Sequence, residues 1–382
     1  MSPRPGNPGR IHVVQVIGTM HIGGAENAVV HIAQGLDRSR FDVTLCCTRE
    51  RGVLAERLAA SGVDVRLAAP PTRRQRYFTP YYLARELKRL GADVVHTHGT
   101  PSLLHVGPLA MIGQVPAWVH TYHFGNYPLP SRRMMAGERF FSRFATSLVA
   151  VADVQRQSIE HHHKLTGVGT IINGVSDNPF VDRPEIRART RAELGVADDE
   201  ILVGGIAVLS RQKGITHLLH ALPDLLRRQP RVRVLVAGGG PLLTPLREEA
   251  QALGVADRVI FTGWRQDNLE LLTALDVFVM PSLWEAMPLA LLEAMAACRA
   301  IVVTDVGDNR RVVGDGECGV VVPAGDPAAL AAAIERLLGD PAGAAAMAAR
   351  AQARFRSTFT VARMVREYEA LYAQAVDGGR AR

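Results

Sequence analysis

Two doubly wound, Rossmann-like α/β domains are the fold this sequence predicts, and three observations carry the prediction. At 382 residues the chain is too long for one ordinary domain and suits two of ~150–200 residues. Short apolar runs alternate with helix-forming segments along nearly its whole length, the pattern of parallel strands buried on both faces. The third is the stretch 278–306. There an apolar run (276–280), a turn (281–285), a helix-forming run (288–297) and a second apolar run (300–304) make one βαβ unit.

In the first half, residues 11–17 form an apolar strand. Gly23-Gly24-Ala25-Glu26 and a helix over 27–36 follow. A glycine pair between strand and helix lets backbone approach a ligand and offers helix N–H groups to an anion. The spacing is not that of a dinucleotide fingerprint. Strands are expected at 43–47 and 63–67, with a helix over 54–61 between them and another over 81–90. The strands at 93–97 and 117–122 end in His98-Gly99 and His123-Phe124-Gly125, so their histidines lie near the ligand edge of a parallel sheet. His96, His98 and His120 are expected to be core or loop residues with satisfied hydrogen bonds. A strand over 147–151 follows. His161-His162-His163 lacks carboxylate or cysteine support and reads as a polar helix face rather than a metal site. Asn173-Gly174 favours a tight turn.

The second half opens with a linker and a helix over 183–195. A strand at 201–209 leads into Ser210-Arg211-Gln212-Lys213-Gly214 and a helix over 215–228. Basic residues in a glycine-ended loop ahead of a helix suit a diphosphate, Lys as a point charge and Arg as a fork. Further strands are expected at 232–237, 259–262 and 319–323, with helices over 242–253, 268–275 and 327–338. Gly263-Trp264 ends the strand at 259–262. Trp264 is expected to pack rather than stack on a ligand. The tail 359–376 carries Tyr368, Leu371 and Tyr372 on one helical stripe.

Composition narrows the function classes. Apolar residues make up 47% of the chain, ample for two cores. Cys46, Cys47, Cys298 and Cys318 have neither zinc spacing nor a disulfide framework, which favours a reducing cytosol. No apolar run is long enough to cross a membrane, and the first ten residues lack the core of a signal peptide and read as a short disordered lead. Net charge is +7 and uneven, with 20 Lys/Arg against 12 Asp/Glu in residues 1–180. Clusters stand at Arg73-Arg74-Gln75-Arg76, Lys88-Arg89 and Arg132-Arg133, with Arg139 and Arg143 after them. No nucleic-acid motif accompanies them. A solvated face and contact with a membrane surface are both open.

Within 278–306, Glu285 and Glu293 have seven residues between them. Glu285 falls in the loop at a strand's carboxyl end, where open α/β sheets bind ligands. Pro288 suits a first helical turn, and Leu289 and Glu293 then share a helix face. Amides near Ala286, Met287 and Leu289 are placed to meet phosphates at the helix start, and the glutamates to meet hydroxyls. Two isolated glutamates would be solvated surface residues. Here they flank a strongly apolar run, where a second-turn Glu is out of place without a polar partner.

This run resembles the signature of the family-four retaining, nucleotide-sugar-dependent glycosyltransferases, P-S-x-x-E-G-x-x-x-x-x-x-E-A-M-A-x-G-x-P-V-V. Pro281, Ser282, Glu285, Glu293, Ala294, Met295, Ala296 and Val302 are in register; Ala286, Cys298 and Ala300 depart from family Gly, Gly and Pro. The resemblance covers nearly the whole chain and implies the GT-B fold, two doubly wound Rossmann-like domains facing across a cleft. It implies domains at 1–178 for the acceptor and 179–358 for the nucleotide sugar, and a helix in 359–382 returning to the first. It implies that Glu285 touches the donor sugar and Glu293 the ribose. Lys213 would meet the diphosphate, Gly24 the acceptor and donor phosphate, and His123 the transferred sugar, while the edge at Gly263 holds the base. Val208 stands where the family has an arginine, and whether Arg211 replaces it is open. Arg311 stands where the family has Glu. No D-x-D motif is apparent, so no metal or other cofactor is expected and the nucleotide-diphosphate sugar is a co-substrate. The expected partner is an acceptor saccharide or lipid-linked saccharide, and the expected place is the cytoplasm, peripheral on the inner face of the membrane. A sugar-nucleotide 2-epimerase of the same fold and a non-catalytic nucleotide-sugar-binding protein stay open.

Overall fold

The computed structural model describes residues 9–69, 72–125, 127 and 131–380; of the expected lead at 1–10, residues 1–8 lie outside them. The chain divides into two units, Met1–Gly174 with Val361–Arg382, and Val175–Thr360.

The first unit alternates strand and helix: β1 (Ile11–Ile17), α1 (Gly24–Gly35), β2 (Phe41–Cys47), α2 (Val53–Ala60), β3 (Asp64–Leu67), α3 (Thr79–Leu90), β4 (Val94–His98), α4 (Gly99–Met111), β5 (Trp118–Tyr122), α5 (Arg132–Phe141), β6 (Ser147–Ala150), α6 (Asp153–His163) and β7 (Gly169–Thr170). All seven strands are parallel, in the order β3-β2-β1-β4-β5-β6-β7. β1 therefore sits where the winding reverses. The loops after β1 and β4 open at that switch point, the usual place for a ligand in such a sheet. Gly23 ends the first of these loops, with Gly24 opening α1, and His98 is the last residue of β4.

The second unit runs α7 (Pro184–Glu193), β8 (Ile201–Ile206), α8 (Ile215–Arg228), β9 (Val232–Ala237), α9 (Leu243–Ala252), β10 (Val259–Gly263), α10 (Asn268–Ala274), β11 (Val277–Met280), α11 (Leu289–Ala296), β12 (Ala300–Thr304), α12 (Asn309–Val312), β13 (Val320–Val322), α13 (Pro327–Gly339) and α14 (Pro341–Thr358). Its six-stranded sheet has the order β10-β9-β8-β11-β12-β13. The switch falls between β8 and β11. The loops that leave these two strands hold Lys213 and Glu285, so topology alone brings together two residues 72 apart in sequence.

The last helix, α15 (Val361–Arg380), belongs to the first unit. Met364, Val365, Tyr368, Tyr372 and Ala375 bury with β1, β2, α1 and α2 on one face of that sheet, while α3, α4 and α6 supply the core on the other. Tyr372 Oη also lies 2.7 Å from His96 Nδ1, so the helix is held by a polar contact as well as by its stripe.

Helix α1 begins at Gly24 rather than at residue 27, because Gly23 adopts the extended backbone of an N-cap. The expected polar face at 161–163 is corrected for His163. Its side chain is fully buried, with Nε2 2.9 Å from Glu138 Oε1. A carboxylate from another helix turns what reads as a solvated run inward.

Cys298, at the family's glycine position, has φ +54°. A side chain in that left-handed region costs about 1–2 kcal/mol. Cys298→Gly is expected to stabilise the protein by about 1 kcal/mol net of glycine's greater chain entropy. A urea midpoint that falls or stays put would contradict this.

Candidate functional site

In the second unit the site forms where the loops after β8 and β11 meet. Glu285 is 6% exposed, yet three donors surround its carboxylate. Lys213 Nζ donates to Oε1 at 2.6 Å, Ser282 Oγ to Oε1 at 2.8 Å and Gln212 Nε2 to Oε2 at 3.2 Å. This satisfies a buried charge that would otherwise be costly. The lysine in turn keeps some access to solvent, with 21% of its side chain exposed.

Two glycines allow the loops to close this tightly. Gly214 has φ +59°, and a Cβ there would lie 2.1 Å from the Pro281 carbonyl oxygen. Gly307 has φ +54°, and a Cβ there would lie 2.4 Å from the carbonyl oxygen of Glu285. Any other residue at either position would push its loop away from the Glu285 turn. Leu283 N–H donates to the Gln212 carbonyl at 2.7 Å and ties the first loop to the turn directly.

Helix α11 starts at Leu289, with Pro288 as its extended N-cap instead of a residue of the first turn, and has no side-chain cap. Ala286, Met287 and Leu289 are all buried. Within α11 only Ala290 and Glu293 keep partial exposure, and they share one face. Glu293 is thus the one acid on a helix that is otherwise apolar. Among the described residues no hydrogen bond or ion pair to its carboxyl is found, and burial pushes its pKa up to about 7. A group that would rather be neutral, facing the only opening of its helix, is ready for a hydroxyl-bearing partner.

Arg211 lies in a 3-10 turn, Arg211–Lys213, with its side chain exposed. Gly263 has φ +68°, and its carbonyl accepts from Gly238 N–H at 2.9 Å. Trp264 packs over Gly239 but stays 50% exposed. The structure therefore places Lys213, Glu285, Ala286, Met287, Leu289 and Glu293 on two adjoining loops and on helix α11, into which the second loop leads.

In the first unit, Gly24 is exposed at the start of α1, and a Cβ there would touch nothing. His123 follows β5 and His98 caps α4; His98 Nδ1 and His123 Nε2 are 3.1 Å apart. Burial lowers His123 to about 4 and keeps His98 neutral too. His96 bonds through both ring nitrogens, to Tyr372 and Thr121. His98 and His120 meet the expectation of satisfied hydrogen bonds only at Nδ1; among the described residues their buried Nε2 atoms have no partner.

Sequence reasoning did not assign Gln212, Ser282 or Gly307 to the site. Ser282 stood in the quoted motif. For Gln212 and Gly307 the only local signal was a position beside a glycine-ended loop.

Comparison with known proteins agrees with this geometry. The family described as "Glycosyl transferases group 1" matches residues 186–354, and "Glycosyltransferase Family 4" matches residues 22–178. A GDP-mannose-dependent alpha-(1-6)-phosphatidylinositol monomannoside mannosyltransferase of Mycolicibacterium smegmatis is 32% identical over 291 residues, 69% of this chain and 73% of its own. A UDP-Gal:alpha-D-GlcNAc-diphosphoundecaprenol alpha-1,3-galactosyltransferase of Escherichia coli is 25% identical over 76% of this chain and 79% of its own. Among solved structures, Anabaena HepE in complex with UDP-glucose is similar with a TM-score of 0.83 at 21% identity, covering 95% of this chain and 100% of that one. Sucrose-phosphate synthase of Thermosynechococcus elongatus gives 0.80 at 22% identity, covering 97% and 100%. These likenesses identify the fold as GT-B. The two family matches, together with the mycobacterial relative, show that the chain belongs to the family-four glycosyltransferases.

Proposed function

We propose that the chain transfers a glycosyl group from a nucleotide-diphosphate sugar to a hydroxyl of a saccharide or lipid-linked saccharide, with retention of anomeric configuration, in polysaccharide or glycolipid biosynthesis. The observation that carries the reading is Glu293, whose carboxyl burial pushes up to about 7 with no protein partner among the described residues. Ribose hydroxyls would supply the missing hydrogen bonds.

In this reading Glu285, fixed by Lys213, Ser282 and Gln212, orients the donor sugar. Lys213, exposed Arg211 and the uncapped amides at the start of α11 meet the diphosphate and the charge that grows on it as the glycosidic bond breaks. The backbone at Gly263 takes the base. In the first unit, which would hold the acceptor, Gly24 would meet the acceptor and the donor phosphate and His123 the transferred sugar. The two named relatives act with GDP and UDP donors respectively, so both nucleotides belong in the test.

A second reading, binding without turnover, is favoured by Ala286 and Arg311, which stand where the family pattern has Gly and Glu. A 2-epimerase would need no acceptor. The test is nucleoside-diphosphate release from UDP- and GDP-sugars, with and without a lipid-linked acceptor. The proposal expects acceptor-dependent release that survives EDTA, since protein cations meet the phosphates. Tight donor binding with no release under any condition would overturn it, as would interconversion of donors without acceptor.

A further inference from the structure

Two histidines at the ligand edge of the first sheet share one hydrogen bond, and its direction decides what His123 can do. His98 is the last residue of β4 and the N-cap of α4, and it is 2% exposed. His123 follows β5 and is half-buried. His98 Nδ1 and His123 Nε2 are 3.1 Å apart. The ring of His96 lies 4.0 Å from that of His98, yet it spends both nitrogens on Tyr372 and Thr121 and offers neither to its neighbour. His98 Nε2 is therefore buried without a partner among the described residues.

Both rings are neutral. Burial lowers His123 to about 4, and burial together with the neighbouring imidazoles holds His98 well below its ordinary value. The start of α4 acts on His98 the same way, because a positive helix end disfavours imidazolium. Between two neutral imidazoles in contact, one ring donates and the other accepts. If His123 donated, His98 would carry its own proton on Nε2. That would be a buried N–H with no acceptor, the rarer kind of orphan in folded proteins, at a helix end that already has unpaired N–H groups. If His98 donates, its Nε2 is a bare lone pair, which the positive end of α4 favours. The second arrangement costs less. It leaves the proton of His123 on Nδ1, the opposite of the Nε2–H form that a free histidine side chain prefers.

We propose that His98 is a positioning residue, which donates from Nδ1 to His123 Nε2 and so fixes His123 as an Nδ1–H donor for an oxygen of the transferred sugar. The sugar's part in this rests on the glycosyl-transfer reading above; the tautomer rests on the first unit alone. His123 is then a hydrogen-bond donor and not a base, since neither of its nitrogens is free to take a proton.

The test begins with nitrogen NMR of the isotope-labelled full chain at pH 7.5, with His123→Asn to assign the signals. His123 should show a protonated Nδ1 and a bare Nε2. Protonation on Nε2 instead would overturn the proposal. Turnover reads the consequence. His98→Leu should lower kcat about tenfold, the worth of one neutral hydrogen bond, with the KM for nucleotide sugar little changed. His98→Asn puts an amide N–H near the place of Nδ1 and suits an N-cap, so it should keep most of the activity. A merely structural role would not separate the two variants, whose melting temperatures report folding. Equal activity of the two, or a Leu variant as fast as the native chain, would also contradict the assignment. Absence of transfer by the native chain would count against the functional reading instead, and the spectrum would still decide the tautomer.

Discussion

Glu293→Gln is expected to raise the melting temperature at pH 8 by several degrees while weakening nucleotide-sugar binding about 10- to 100-fold. Both effects have one cause. The carboxyl's folded pKa, about 7, lies above its ordinary value of 4.5, so the fold prefers it neutral. Its contribution to stability is complete below pH 4.5, declines as the unfolded chain ionises, and is lost once pH passes 7. At pH 8 the native protein therefore carries a cost of up to about 3 kcal/mol, taking 1.36 kcal/mol per pKa unit. An amide of the same shape removes that cost, and the gain should shrink as pH falls toward 4.5. It also removes the charge that ribose hydroxyls would use. Melting curves of both proteins across pH 5–8 check the first half and calorimetry the second. Stabilisation that is flat with pH would show that the carboxyl is not the source.

Lys213→Met should be the most damaging single change in the second unit. It leaves the Glu285 carboxylate, 5% exposed at its side chain, without its cation. Breaking a buried pair from one side costs about 3–5 kcal/mol. It also withdraws the charge that meets the diphosphate, which should lower kcat by about 10²–10³-fold. The pair Lys213→Met with Glu285→Gln separates the two effects. Ser282 and Gln212 can still bond a neutral amide, so most of the lost stability should return, whereas turnover should not. Denaturant midpoints and product release for the three variants form a double-mutant cycle. If the double variant stays as unstable as Lys213→Met, the ion pair is not what holds the loops.

The legible parts of this molecule are those written in short-range pattern. Alternating apolar runs and helices gave away both sheets, and Glu285 and Glu293 stood out because they bracket an apolar helix. What stayed hidden depends on residues far apart in sequence. Gln212 joins the site only because β8 lies beside β11 in the sheet, and Gly307 only because β12 lies on the other side of β11. His163 reads as solvated until Glu138, 25 residues earlier, is seen to face it. β7 has two residues, too few for any periodicity, and is defined by its pairing with β6 alone. Cys298 marks the reverse case. The family pattern flags the position, and only the backbone angle shows why glycine belongs there.

The central claim is that a donor's ribose binds the charged form of Glu293. Calorimetric titration of the preferred nucleotide sugar near pH 6.5, in buffers of different ionisation heat, tests it most directly. The free carboxyl, with its pKa about 7, is mostly protonated there, and hydroxyls donating to it would lower that pKa. Binding should therefore release up to about three-quarters of a proton, the protonated share at that pH, and Glu293→Gln should abolish the release. Binding of unchanged affinity with no proton released in the native protein would contradict the account.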